Sequence, residues 1–313
     1  MTARPQASKP TLYLSHSDCE LHDMGAGHPE SPQRLRAIQQ LVAATDWNGS
    51  VELDQAPLLD TDDVQSVHPS HHVQFILEKS PAEGVVALDA DTYINPHSVN
   101  AALRAAGAAV HATDQILEQH VQNAFCAVRP PGHHAESSIA MGFCLFNSVA
   151  LAVERALHFG LQRVAVLDFD VHHGNGTVEI FQDRPEVLVC SSFQWPFYPG
   201  RYDQIERQNI VLTPLPAGTA SADFRQAIER DWLPAVRNFQ PEMIFVSAGF
   251  DAHKDDPLGG LYLVDEDYYW VTSLIKDWAR TYSEHRVMSI LEGGYDLNAL
   301  ARSVVQHVRA LAG

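Results

Sequence analysis

The sequence predicts an α/β fold, a parallel sheet covered by helices on both faces within one domain of the 313-residue chain. Three observations point there. Short apolar runs recur without the alternation of a half-exposed strand, helical patterns lie between most of them, and no polar or Pro/Gly-rich linker interrupts the succession.

Each element follows from its residues. Residues 1–10 (MTARPQASKP) lack apolar periodicity and are expected to form a flexible tail, leaving 11–313 as the domain. Ser31-Pro32 opens a helix, a cap-like serine before a proline whose missing N–H costs nothing in the first turn, and Leu35, Ile38 and Val42 then share a face. An Ala-rich helix is expected over 100–118, then a strand at FCAV (125–128). Residues 147–159 place Val149, Val153, Ala156 and Leu157 on a helix that Gly160 ends. VAVL (164–167) and VLVC (187–190) are strands. The stretch 191–220, with SSFQWPFYPGRYD, is expected to be irregular, and its aromatics suit a binding rim better than a spacer. A helix over 221–238 carries Phe224, Ile228 and Trp232; the strands MIFV (243–246) and VMSIL (287–291) alternate with helices over 265–282 and 296–312.

A formal charge of −18, with no cluster of Lys and Arg, argues against nucleic acid as a partner. Cys19, Cys126, Cys144 and Cys190 are isolated and lie mostly in apolar runs, which reads as reduced thiols in the cytoplasm. No signal sequence and no apolar run of roughly 18 residues is present, so no membrane association is expected. A homo-oligomer is compatible with these features.

In open α/β sheets, ligands bind beyond the carboxyl ends of the strands. Here FCAV runs into Arg129-Pro-Pro-Gly-His133-His134, VAVL into Asp168-Phe-Asp170-Val-His172-His173, MIFV into Ser247-Ala-Gly-Phe-Asp251, and VMSIL into Glu292-Gly-Gly-Tyr295. Residues two apart on an extended chain share a side, so Asp170 and His172 can hold one ion. With Asp251 the set becomes Asp2His, three protein ligands and an open fourth position, the pattern of a catalytic zinc. A D-x-H alone is common; its coincidence with Asp251, both histidine pairs and Tyr295 is what carries weight. His71-His72 has no strand-end context and reads as ordinary surface or core histidine, Cys144 as packed against the site, and His253 stays open.

The motifs RPPGHHA, GFCLFNS, LDFDVHHGNGT, SAGFDAHKDDPLGG and LEGGYD, with GHPESPQRL near the start, resemble the zinc-dependent histone deacetylases, in that family's order from about 27 to 296. Asn175, where class I members carry Asp, resembles the class II branch and its bacterial relatives, the histone deacetylase-like amidohydrolases and acetylpolyamine amidohydrolases. The resemblance implies a three-layer, arginase-like α/β/α fold and hydrolysis of an acyl amide, typically N-acetyl-lysine. It implies Asp170, His172 and Asp251 as zinc ligands, His134 as general base backed by Asn175, His133 as its electrostatic partner backed by Asp168, and Tyr295 as donor to the oxyanion. Asn175 in place of a carboxylate is expected to leave His134 less basic than in class I members.

The resemblance also implies potassium beside the zinc, at Asp168, Asp170, His172, Ser191 and Ser192, and a second potassium on backbone carbonyls near Phe181, Arg184 and Val187. Phe143 and Tyr198 match the aromatic walls of the acyl-lysine tunnel, Gly142 leaves room for the alkyl chain, and Asp91 matches a rim residue. The segment 193–210 departs from the family, with Phe193 where His is frequent. Acetylpolyamines are the nearest rival substrates; relatives selective for them place an acid just after DDP, where Leu258 stands here, although Glu83, Asp89 or Asp91 could serve instead. An arginase-like dimanganese site would need further bridging carboxylates. A non-catalytic acyl-lysine binder would not need Tyr295 and both site histidines.

Overall fold

The computed structural model describes residues 9–313; the tail expected over 1–10 therefore lies, except for its last two residues, outside the described part. In chain order the strands are β1 (Thr11–Ser15), β2 (Val51–Gln55), β3 (Val86–Ala87), β4 (Tyr93–Ile94), β5 (Asn123–Cys126), β6 (Val164–Asp168), β7 (Val187–Gln194), β8 (Ile210–Leu215), β9 (Met243–Ala248) and β10 (Val287–Leu291). The helices are α1 (Pro32–Ala44), α2 (Thr61–Val64), α3 (Ser70–Lys79), α4 (Ser98–Leu117), α5 (Ser148–Phe159), α6 (Asn175–Phe181), α7 (Ser221–Phe239), α8 (Asp265–Tyr282) and α9 (Leu297–Ala312).

Eight strands form one parallel sheet in the order β2-β1-β5-β10-β9-β6-β7-β8. β3 and β4 make a separate antiparallel pair. The apolar runs are the strands β5, β6, β7, β9 and β10, buried along their whole length because helices cover both faces: α4 and α5 pack on one side, and α1, α9, α8 and α7 form the other layer. Such runs leave water only through these two helical layers, and each fully buried Val, Leu, Ile or Phe contributes about 1.5–3 kcal/mol. Gly160 ends α5 in the left-handed region (φ 119°) as its position predicts. Ser31 precedes α1 in extended backbone, but its hydroxyl makes no capping bond; Pro32 alone sets that start.

The stretch expected to be irregular over 191–220 is not so throughout. β7 continues to Gln194 and β8 occupies Ile210–Leu215, leaving 195–209 as the loop. β8 is an edge strand, where Pro214 is tolerated and one face meets solvent, so it carries no apolar run. The opposite edge, β2, is exposed along VELDQ and is equally silent in sequence. No helix among the described residues is long and apolar enough to cross a membrane.

Candidate active site

The four adjacent strands β5, β10, β9 and β6 all point their carboxyl ends to one place. There the chain segments 129–134, 292–295, 249–251 and 168–172 converge, because parallel pairing in register stacks the strand ends side by side.

At the centre, His172 Nδ1 lies 3.2 Å from Asp170 Oδ1 and 3.1 Å from Asp251 Oδ2, and the three candidate ligand atoms fall within 4.8 Å of one another. Backbone amides fix the carboxylates: Gly293 N–H donates to Asp170 Oδ2 at 2.8 Å, and Val171 N–H to Asp251 Oδ1 at 2.9 Å. That approach requires glycine at 293, where a Cβ would stand 2.0 Å from Asp251 Oδ2. Burial and the charge of Asp170 push the Asp251 carboxyl up to about 7, while the two carboxylates raise His172 to about 10 against the effect of its burial. Two buried acids facing one imidazole ring nitrogen make a donor set that a divalent cation would neutralise, so the residues present fit the metal that the sequence implies.

Two imidazoles flank this cluster, 4.1 Å apart between ring centres, in opposite environments. His133 donates from Nδ1 to Asp168 Oδ2 at 2.8 Å; burial opposes its charge, but Asp168 and Asp170 raise its pKa well above the ordinary value. His134 is paired with the neutral Asn175 Oδ1 at 2.7 Å, and burial followed by the charges of His133 and His172 holds its pKa well below the ordinary value. Burial and the cationic neighbours are the main causes, and the Asn175 bond acts against them. Asn175 Nδ2 donates to Glu136 Oε1 at 2.8 Å, so its carbonyl faces His134. His134 must then carry its proton on Nδ1, leaving Nε2 as an acceptor. Glu292 Oε2 clamps the Pro-Pro-Gly turn by accepting the N–H groups of Gly132 (2.7 Å) and His133 (3.1 Å).

Asp256 Oδ2 positions Tyr295 by accepting its N–H at 2.6 Å and that of Asp296 at 3.2 Å. The Arg34 guanidinium lies 4.9 Å over the Tyr295 ring and donates to the carbonyls of Gly294 (2.6 Å) and Glu292 (2.5 Å). Burial keeps the Tyr295 phenol protonated, and hence a donor.

His134, His172 and Tyr295 line a cavity of about 440 Å³, together with Asp91, Gly142, Phe143, Tyr198 and Leu258. The expected wall and rim residues are therefore gathered at one cavity. Phe197, which the sequence reading left unassigned, joins them and stacks on His172 at 5.4 Å. Gly142 also meets a second need. At φ 57° a Cβ there would lie 2.4 Å from the Cδ2 of His134, so its small size makes room for the imidazole. Gln194 also lines the cavity and accepts the Gly260 N–H at 2.7 Å.

Of the implied potassium positions, β6 and β7 set Asp168 opposite Ser191, and Ser192 Oγ donates to the Asp168 carbonyl at 3.4 Å. The second set is also brought together. The carbonyls of Phe181, Arg184 and Val187 converge around the Asn209 side-chain amide, whose Nδ2 lies 2.8, 3.0 and 3.0 Å from them. That amide has two hydrogens to share among the three carbonyls. His72 is buried on the Leu145 carbonyl (3.0 Å) and His71 is exposed, as incidental histidines would be. His253 Nε2 lies 3.1 Å from Asp265, outside the cluster. Burial raises the pKa of the Cys144 thiol well above the ordinary value, which suits packing rather than nucleophilic attack. Glu136, Asp256, Arg34 and Asn209 were given no role by sequence reasoning, since nothing local marks a polar side chain that will be buried, although Arg34 and Asp256 lie inside the motifs GHPESPQRL and SAGFDAHKDDPLGG and Glu136 directly follows RPPGHHA.

A model of the histone deacetylase domain matches residues 28–311. The chain is 37% identical to the histone deacetylase-like amidohydrolase of Pseudomonas aeruginosa, over 86% of this chain and 73% of that one. It is 34% identical to type-2 histone deacetylase 2 of Dictyostelium discoideum over 96% of its own length, but spans only 21% of that larger protein. The crystal structure of the HDA15 HD domain superposes with a TM-score of 0.91 at 34% identity, covering 98% of this chain and 90% of that one. The arginase-like α/β/α fold is thereby shown, and the chain belongs to the histone deacetylase family.

Proposed function

We propose that the chain is a zinc-dependent deacylase that hydrolyses the N-acetyl amide of lysine side chains to the free amine and acetate. The observation that carries this reading is the pair of imidazoles, one bonded to the Asp168 carboxylate and one to the neutral Asn175 amide, beside an Asp2His donor set at a cavity with aromatic walls. Asp170, His172 and Asp251 would hold zinc, which when bound supplies a Lewis acid for the amide carbonyl and the attacking water. His134, neutral with Nε2 free, takes a proton from that water and returns one to the departing amine. His133 remains protonated against Asp168 and stabilises the negative charge that develops, and the Tyr295 phenol donates to the oxyanion. Phe143, Tyr198 and Phe197 sheathe an alkyl chain. Asp91 at the cavity is placed to accept backbone amides of a peptide. One or two potassium ions, beside Asp168 and Ser191 with Asp170, His172 and Ser192 nearby and on the carbonyls of Phe181, Arg184 and Val187, complete the reading; the place of the protein is the cytoplasm.

Leu258, rather than an acid, lines the cavity after DDP, which favours acyl-lysine over an acetylpolyamine. Turnover of acetyl-lysine peptides and of acetylputrescine, by chelated and by zinc-restored protein, tests both points. Cleavage of the peptide only when zinc is present supports the proposal; activity retained after chelation, or confined to the polyamine, overturns it. Exchanging Tyr295 for Phe should lower kcat by about 10²–10³ while leaving ligand affinity in place. A pure binding module would show no turnover to lose.

A further inference from the structure

One buried carboxylate joins two parts of the site that the proposed chemistry keeps separate. Glu136 is 3% exposed and accepts the Asn175 Nδ2–H on Oε1 at 2.8 Å. It also takes the Arg201 guanidinium on both oxygens, Nε to Oε1 and Nη2 to Oε2, each at 2.7 Å. At its other end Asn175 accepts from His134 at 2.7 Å. Arg201 belongs to the 195–209 loop, three residues after Tyr198, whose ring meets that of His134 edge-on at 5.2 Å. The path from His134 through Asn175, Glu136 and Arg201 therefore returns to His134 through Tyr198.

We propose that Glu136 and Arg201 are positioning residues that fix together the orientation of the Asn175 amide behind His134 and the stance of the aromatic wall in front of it. This rests on the reading of His134 as general base. The physical basis lies in the shape of an amide, whose two ends are alike in size and opposite in hydrogen-bond sense. Glu136 only accepts, so it selects Nδ2 and leaves Oδ1 to His134. The Arg fork matches a carboxylate at two points, which a Lys ammonium cannot do. The next residue, Tyr202, has φ 56°, a left-handed conformation that a tyrosine keeps only where its neighbours are anchored.

The test is a double-mutant cycle on the zinc-loaded full chain with an acetyl-lysine peptide, comparing wild type, Glu136→Gln, Arg201→Ala, the double variant and Arg201→Lys. Melting temperature and metal content confirm that each is folded. Glu136→Gln should lower kcat about 10-fold with KM within about 2-fold, because the amide at 175 is free to turn. Arg201→Ala should raise KM about 5-fold as the wall loosens, Arg201→Lys should not restore it, and the double variant should fall short of the product of the singles. A purely structural role would move only the melting temperature. Kinetics of folded Arg201→Ala within about 2-fold of wild type, or single effects that multiply, overturn the proposal. Activity surviving His134→Ala would instead sink the general-base reading. Independently of turnover, the His134 Nδ1–H proton should be resolved by NMR of histidine-labelled wild type and lost in Glu136→Gln; an unchanged signal overturns the positioning role.

Discussion

Two buried ionic clusters meet beyond the ends of β5 and β10, and they are balanced in opposite ways. Around Glu30 a single carboxylate is held by Arg129 at two points, Nη2 at 2.5 Å from Oε2, and by Arg34 Nη1 at 3.0 Å, with His22 Nε2 at 3.3 Å. The remaining guanidinium donors end on the carbonyls of Cys19, His22, Glu292 and Gly294. Positive charge exceeds negative, and every partner is a group of the chain itself. Around His172 the acids exceed the cations that the chain supplies: Asp168, Asp170, Asp251 and Glu292 are all buried, with only His133 and His172 to meet them. Burial pushes Glu292 up to about 7, whereas Glu30, despite burial, is held well below the ordinary value by Arg129 and His22. The first cluster is closed and can only be scaffold. The second is open toward a cavity, and its surplus of acid suits a cation held by Asp170, His172 and Asp251.

Breaking the open cluster should have the largest effect. Asp251→Ala removes one of two carboxylates that face a single ring nitrogen, and should abolish bound zinc together with turnover, a loss of roughly 10³-fold or more. Elemental analysis and a deacetylase assay of the same preparation check it; cleavage that survives without metal would remove the distinction between the clusters. The closed cluster should fail differently. Glu30→Ala leaves two guanidiniums buried without a counter-charge, which should destabilise the fold by about 3–5 kcal/mol in urea denaturation, while the protein that remains folded still binds zinc.

This contrast also explains what the sequence made legible. Strands buried on both faces, such as β6 and β9, appear as apolar runs, and a parallel sheet must deliver the residues that follow them to one end. Asp168, Asp170, His172, Asp251, His133, His134 and Tyr295 were found on that logic. The edges β2 and β8 were not, because β2 is exposed along its length and a solvent-facing side and Pro214 cut short the run in β8. Partners that reach the site from elsewhere were equally silent. Arg34 sits 260 residues from the Gly294 carbonyl that it binds, and its helix reads as an ordinary amphipathic surface helix. Asn209 shows the same limit: three carbonyls could be placed near one another from sequence, but not the side chain that fills their centre.

The smallest effect concerns acid, and it separates the closed cluster from the buried histidines around it. His307 bridges Thr272 Oγ1 (2.6 Å) and Ser289 Oγ (2.8 Å), and His68 lies between the Ser137 carbonyl and the Asn147 N–H; burial lowers both to about 3. A histidine depressed in the folded state is neutral there while the unfolded chain, near 6.5, binds a proton. Its stabilising effect is therefore complete above about pH 6.5 and declines as the pH falls toward the folded value, by about 1.4 kcal/mol per pH unit for each group. Glu30, held well below the ordinary carboxylate value, stays charged through the upper part of this window, so it contributes no slope there. Urea denaturation of chelated protein at pH 7, 6 and 5 should show wild type losing stability, and His307→Gln losing about 1.4 kcal/mol less per pH unit between 6 and 5. Equal slopes would mean that His307 is not held neutral by its burial, and that the acid sensitivity lies in the ionic clusters instead.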